Sequence, residues 1–200
     1  MRIVGGQFRG RAIASPVTEA TRPTSDRVRE AMFNILAHSI DGFTLEGAVV
    51  LDLFAGTGAL GIEALSRGAK FCMFVETEAE ARGIIRDNVE AFGLTGVTKI
   101  FRRDVTGLGQ AGKYGGMTLV FADPPYGQSL GEKALASAAV GGWLAPGAVI
   151  VLEERRDADV RLPPGFIEID RRAWGETQAI FATWTNQSTR STVRGGAAAG

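Results

Sequence analysis

Cysteine and histidine are nearly missing from this chain: Cys72 and His38 are single occurrences in 200 residues. A lone cysteine excludes an intrachain disulfide, and no His and Cys spacing resembles a metal site, so no metal is expected. Cys72 reads as a packed thiol in a buried strand, and His38 as the polar end of a helix. No run of about 18 apolar residues occurs, which argues against a membrane-spanning helix. Met1-Arg2-Ile3 leads into Gly5-Gly6 rather than an apolar leader, so the chain reads as cytoplasmic. Internal repeats are absent too. Net charge is missing as well, since Lys+Arg and Asp+Glu both total 22. That balance excludes a general attraction to polyanions, but it is uneven along the chain. Residues 1–29 carry six arginines (Arg2, Arg9, Arg11, Arg22, Arg27, Arg29) against Glu19 and Asp26. A basic N-terminal face suits a phosphate backbone, although a merely solvated terminus has the same composition.

What is present is enough apolar sequence, 45%, for one substantial core. Ile3 to Ile13, with Gly5-Gly6 and Gly10, suits a short twisted hairpin that presents arginines. Val28, Met32, Ile35 and Leu36 recur at helical spacing after the polar Thr24-Ser25-Asp26, which predicts a helix over Ser25 to His38. From Ala48 onward β-rich runs alternate with helical segments, the sequence form of a mostly parallel sheet. Strands are expected at Ala48–Leu53, Phe71–Glu76, Thr98–Arg102, Thr118–Ala122 and Ala148–Leu152, with helices at Ala59–Ser66, Glu78–Phe92 and Leu130–Trp143. Phe166–Arg172 and Gln178–Trp184 have no helix between them and should form an antiparallel hairpin at one sheet edge. The composition from Asn186 onward suggests a disordered tail. The expected organisation is an arm over 1–24, an α/β Rossmann-like domain over 25–185 and a tail over 186–200.

Two constellations carry chemistry. Val49-Val50-Leu51-Asp52-Leu53-Phe54-Ala55-Gly56-Thr57-Gly58-Ala59-Leu60-Gly61 reads as strand, glycine turn and helix start, where the backbone can approach a ligand closely. Gly56, Gly58 and Gly61 also satisfy the dinucleotide pattern, and Glu76 stands where a ribose-binding acid belongs, so nicotinamide binding competes as a reading. Asp52 ahead of the glycines, and the lack of a hydride-transfer pair, favour a sulfonium cofactor instead. A cationic ligand without pyrophosphate gains from a carboxylate near its amino-acid end. Glu76 can accept from both ribose hydroxyls, and Asp104 is placed to accept from an adenine amine. Taken singly, each could be a solvated loop acid; recurrence at successive strand ends argues for a ligand.

The second constellation is Asp123-Pro124-Pro125-Tyr126, which ends the apolar run Leu119 to Ala122 in a rigid turn whose prolines lack backbone N–H groups. A plain strand stop is the bland explanation. The chemical one is that an aromatic amine, whose lone pair is delocalised, becomes nucleophilic when two acceptors hold its hydrogens. The Asp123 carboxylate and the Pro124 carbonyl could do so, with Tyr126 stacked on the base. A base within a helix could not enter, so its target is unpaired or flipped out.

With Arg2-Ile3-Val4-Gly5-Gly6, Arg9-Gly10-Arg11 and Arg22-Pro23-Thr24-Ser25-Asp26-Arg27-Val28-Arg29-Glu30 added to these two motifs, the chain resembles the RsmD-type bacterial methyltransferases over about Arg2 to Trp184. The resemblance implies a class I fold, S-adenosyl-L-methionine as cofactor and the N2 amine of a guanine in 16S ribosomal RNA as acceptor. It further implies cofactor contacts at Asp52, Phe54, Gly56, Gly58, Glu76 and Asp104, an acceptor clamp at Asp123, Pro124, Pro125 and Tyr126, and RNA-facing groups at Arg2, Arg9, Arg11, Arg22 and Arg27. The implied partner is a small-subunit assembly particle, approached by a monomer. Adenine-N6 methylation of DNA or RNA uses the same tetrapeptide chemistry and stays open from the residues alone. A non-catalytic RNA-binding module is the third reading, and it leaves the strand-end acids without a purpose.

Overall fold

The computed structural model describes residues 1–16 and 24–186, with backbone alone for Thr24 and Ser25; Arg22 and the tail from 187 onward lie outside the described residues. A seven-stranded sheet runs through the molecule in the order β3-β2-β1-β4-β5-β7-β6. Its strands are β1 (Val49–Leu53), β2 (Phe71–Val75), β3 (Thr98–Phe101), β4 (Met117–Ala122), β5 (Leu144–Arg155), β6 (Phe166–Trp174) and β7 (Thr177–Trp184). The first five pair in parallel, and β7 lies antiparallel between β5 and β6. A parallel sheet needs both faces covered, and the helices α1 (Thr24–His38), α2 (Ala59–Ser66), α3 (Ala79–Ala91) and α4 (Leu130–Val140) provide the cover.

Alternation along each strand divides the core into two layers. Val50, Cys72, Phe74, Leu119, Phe121 and Val149 point to one layer with α1, α2 and α3, where Phe33, Leu36, Ile62 and Ile85 are buried. Leu51, Leu53, Met73, Val75, Val120 and Ile150 point to the other, where α4 and Trp143 pack. Burying side chains of this size stabilises by roughly 1.5–3 kcal/mol each relative to exposure. Cys72 is buried as expected, and burial pushes its thiol pKa up.

Helix and strand boundaries follow the expected ones closely, with two informative differences. Helix α4 stops at Val140, because Gly141-Gly142 follow and Gly142 takes φ +70. Trp143 instead crosses into the core, its Nε1 donating to the Gly109 carbonyl at 2.9 Å. Strand β5 begins at Leu144, where Met117 pairs with Leu144 ahead of a register shift that absorbs Pro146-Gly147. Proline cannot donate to a ladder, so the strand bulges there instead of starting afresh.

The N-terminal hairpin is narrower than a two-stranded ribbon. One antiparallel bridge, Arg2 to Ala12, closes it, with a short turn of helix at Gly6–Phe8. Ile3 and Ile13 are buried in the same apolar layer as α1 to α3. The backbone N–H groups of Val4, Phe8 and Ala14 donate to Glu63, Ser66 and Asn88 at 2.9, 3.0 and 2.8 Å. This segment is therefore held on α2 and α3 along its length.

Candidate active site

The carboxyl ends of β1, β2 and β4 open onto a single cleft of about 1130 Å³. Asp52, Phe54, Gly56, Glu76, Asp104, Asp123, Pro125 and Tyr126 all line it, so the structure brings both sequence constellations together. Gly58 and Pro124 lie behind the lining. Gly58 precedes α2 with φ +79, a conformation that a side chain would strain, and Pro124 is buried under the turn. Phe54 also holds a positive φ, +59, although it is no glycine; such strain is tolerated where the surroundings over-determine the backbone.

Asp52 is the most perturbed acid. It is 1% exposed, and one oxygen accepts from the Gly61 N–H at 3.0 Å. Burial drives its pKa from 3.8 to about 8, against the Gly61 hydrogen bond and helped by the nearby charge of Glu76. Glu76 is anchored through both oxygens, accepting from Gly56 N–H at 2.9 Å and Glu78 N–H at 2.8 Å. Each oxygen keeps lone pairs for a further donor. Asp104 is exposed and uses one oxygen to cap a short helical turn, accepting from the Thr106 N–H and hydroxyl at 2.8 and 2.7 Å. Those bonds hold its pKa below the usual carboxylate value.

The Asp123 to Tyr126 turn is braced by residues that the sequence reading missed. The Tyr126 hydroxyl donates to Glu153 Oε1 at 2.7 Å and lies 3.1 Å from Thr177 Oγ1. Burial and the Glu153 charge push the phenol pKa up, so it stays protonated. The next residue, Gly127, donates to both oxygens of buried Glu154 at 3.1 and 3.2 Å. The end of β5 thus fixes the turn after β4, and Glu153 and Thr177 reach the cleft from positions 27 and 51 residues away. No local motif reveals them.

Helix α1 contributes Val28, Arg29 and Met32 to the cleft wall. Arg29 is 3% exposed and pairs with the solvent-facing Asp26 at 2.7 Å and with buried Glu63 at 3.5 Å, while Glu63 also pairs with Arg67 at 2.7 Å. A signal for it exists in the sequence: Arg29 falls on the same helical stripe as Met32, Phe33 and Leu36, where a cation needs a reason.

The arginines expected to face RNA differ from one another. Arg9 and Arg27 are exposed, and Arg2 is exposed while donating to the Gly10 carbonyl at 2.8 Å. Arg11 is committed to α3: it donates to the Ala91 carbonyl at 2.6 Å and its guanidinium stands 4.2 Å from the Phe92 ring centre. Arg22 is outside the described residues.

A sheet that inserts an antiparallel β7 between β5 and β6 departs from the all-parallel dinucleotide order. Fold and cleft fit a Rossmann-like methyltransferase better than a nicotinamide enzyme. Comparison with known proteins agrees. Residues 1–183 match the family described as Conserved hypothetical protein 95. The ribosomal RNA small subunit methyltransferase D of Escherichia coli K12 is 37% identical over 153 residues, 76% of this chain and 74% of the relative. That of Haemophilus influenzae is 32% identical over 177 residues, 88% and 89% of the two chains. Among solved structures, the yhhF protein of Escherichia coli has a TM-score of 0.78 at 29% identity, covering 92% of this chain and 98% of that one. The HI0767 protein of Haemophilus influenzae gives 0.74 at 26%, with the same coverage. The chain belongs to the Conserved hypothetical protein 95 family, the RsmD-type family of methyltransferases.

Proposed function

We propose that this protein transfers a methyl group from S-adenosyl-L-methionine to the exocyclic N2 of a guanine in small-subunit ribosomal RNA. The observation that carries this reading is the single cleft in which the strand-end acids Asp52 and Glu76 meet the Asp123 to Tyr126 turn. The names of the relatives, ribosomal RNA small subunit methyltransferase D, support the RNA class. The choice of guanine N2 rests on the family resemblance.

The residues fit the cofactor. Asp52 is a buried carboxylate with one protein donor, and a cation beside it would restore its charge. Glu76 presents two anchored oxygens suited to the two ribose hydroxyls, and the Phe54 to Gly58 turn brings backbone to the cleft floor. Asp104 is the remaining polar group at the adenine end. When bound, the cofactor supplies an electrophilic methyl on a sulfonium sulfur. The chain's own task is then to orient the acceptor. Asp123 and the Pro124 carbonyl take the two amino hydrogens, turning the nitrogen lone pair toward the cleft. Tyr126, its hydroxyl tethered by Glu153, offers a fixed ring for the base, a contact worth about 1–3 kcal/mol. Asp123 can accept the surplus proton afterwards.

Arg2, Arg9 and Arg27 are assigned to the RNA backbone, together with Arg22, while Arg11 secures the segment that carries Arg9. The substrate is taken to be a small-subunit assembly particle in the cytoplasm, and the enzyme a monomer. The test is Asp123→Ala. S-adenosylhomocysteine should bind within about threefold of wild type while methylation of small-subunit RNA falls by about 100-fold or more. Undiminished methylation would remove Asp123 from the chemistry.

A further inference from the structure

Guanine differs from the other amine-bearing bases in the atom next to its amine. Its C2 amine adjoins N1–H, a second donor, whereas the amines of adenine and cytosine adjoin a ring nitrogen that carries a lone pair. A pocket that reads the edge of an extruded guanine therefore needs acceptors for donors standing side by side. The cleft has them at one end. Among the described residues, Asp123 and Glu153 line it at the carboxyl ends of β4 and β5, while its side-chain cations, Arg29 and Arg103, come from α1 and the turn after β3. Both acids act on Tyr126, whose phenol pKa is raised by burial first, then by the Glu153 charge, and also by that of Asp123.

The Glu153 carboxylate is held in place as well as charged. Its Oε1 accepts from the phenol at 2.7 Å, Thr177 Oγ1 stands 3.1 Å from the same phenol oxygen, and the β5 backbone at Glu153 pairs in register with Ala179 of β7. A carboxylate offers about four lone-pair sites, so one bond from a phenol does not exhaust it. We propose that Glu153 determines which base is methylated: with the amine held at Asp123 and the ring on Tyr126, the adjoining N1–H of guanine donates to the Glu153 carboxylate. This rests on the guanine reading above and deepens it. Adenine or cytosine in the same pose brings a ring-nitrogen lone pair against a carboxylate. The site thus gains a charge-assisted hydrogen bond with guanine and meets repulsion with the other two. Such discrimination is large, because the wrong base leaves a charged group without its donor. The phenol bond that steadies the stacking ring also steadies the group that reads the base.

The test compares two bases at the methylated position, in small-subunit particles reconstituted on RNA ligated from synthetic and transcribed pieces. One is guanine; the other is 2,6-diaminopurine, which keeps the C2 amine but carries a lone pair at N1. Methylation of the C2 amine is read as kcat/KM, with the full chain and S-adenosyl-L-methionine. Wild type should favour guanine by about 100-fold or more. Glu153→Gln keeps an oxygen for the Tyr126 hydroxyl and adds an amide donor, so guanine should slow, diaminopurine should gain, and the ratio should fall by about tenfold or more. Glu153→Ala should narrow the ratio too and serves if the glutamine variant does not fold. Tyr126→Phe breaks the tether but leaves the carboxylate, so both bases should slow while the ratio stays within about threefold of wild type. Equal rates on the two bases in wild type, a ratio unmoved by the Glu153 variants, or a ratio lost as fully in Tyr126→Phe would overturn the assignment. If wild type leaves the guanine-bearing particle unmethylated, the guanine reading itself falls, and Glu153 with it.

Discussion

Asp52 joins structure to chemistry most directly at the scale of single residues. Its carboxyl titrates near 3.8 in an unfolded chain and at about 8 in the fold, chiefly because burial removes water from the charge. Between those values the folded protein holds a proton that the unfolded chain releases, so stability falls as pH rises from about 4 to about 8. A cationic ligand reverses the preference by favouring the carboxylate. Affinity for S-adenosylhomocysteine should therefore rise with pH and level off above about 8, with a slope approaching about tenfold per unit below that point. Asp52→Asn should bind the ligand weakly with a flat pH profile, yet melt at a higher temperature than wild type at pH values above about 8. Isothermal titration and thermal melts across that range check both signs. That Asp52, Glu76 and Asp123 border one cleft was legible in the sequence because each ends an apolar strand run, and clefts in such sheets lie beyond the carboxyl ends of the strands. Glu153, Thr177 and Arg29 were harder to see. The first two act through a partner 27 and 51 residues away, and Arg29 registers only as a cation on an apolar stripe.

For the elements, the packing of α2 on β2 decides whether the glycine turn is held. A Cβ on Gly61 would overlap the Phe74 ring and the Cys72 sulfur, both buried in the sheet. Gly61→Ala should cost about 1–3 kcal/mol by overpacking and shift the Gly61 N–H that Asp52 accepts. A chemical denaturation midpoint that matches wild type would show that the interface has slack. The elements themselves were almost wholly readable. Parallel strands buried on both faces write themselves as continuous apolar runs, and helices as periodic ones. Readability failed where backbone constraint overrode periodicity. Gly141-Gly142 cut α4 short of Trp143, and β5 bulges at Pro146-Gly147 rather than beginning after it.

The whole molecule carries no net charge, so attraction to RNA depends on where its cations are placed. The basic N-terminal segment was visible as a cluster of arginines, but its docking was not, since its bonds to α2 and α3 span about sixty to eighty residues. Docking leaves Arg9 exposed and commits Arg11 to α3, so their loss should have different effects. Arg9→Ala should lower the salt slope of RNA binding by about one unit, as expected when one phosphate is no longer neutralised, with little change in melting temperature. Arg11→Ala, which removes the clamp on Ala91 and Phe92, should lower the melting temperature more than it alters that slope. Binding titrations at several salt concentrations beside thermal melts separate the two. The strand-end acids, the Asp123 to Tyr126 turn and the basic segment support the central proposal, that this turn positions a guanine amine of small-subunit RNA for methylation. The most direct test is to incubate purified protein and S-adenosyl-L-methionine with small-subunit particles from cells lacking this protein and to analyse the RNA nucleosides by mass spectrometry. The account predicts N2-methylguanosine at a single position, absent with Asp123→Ala; N6-methyladenosine in its place, or no new methylated nucleoside, would contradict it.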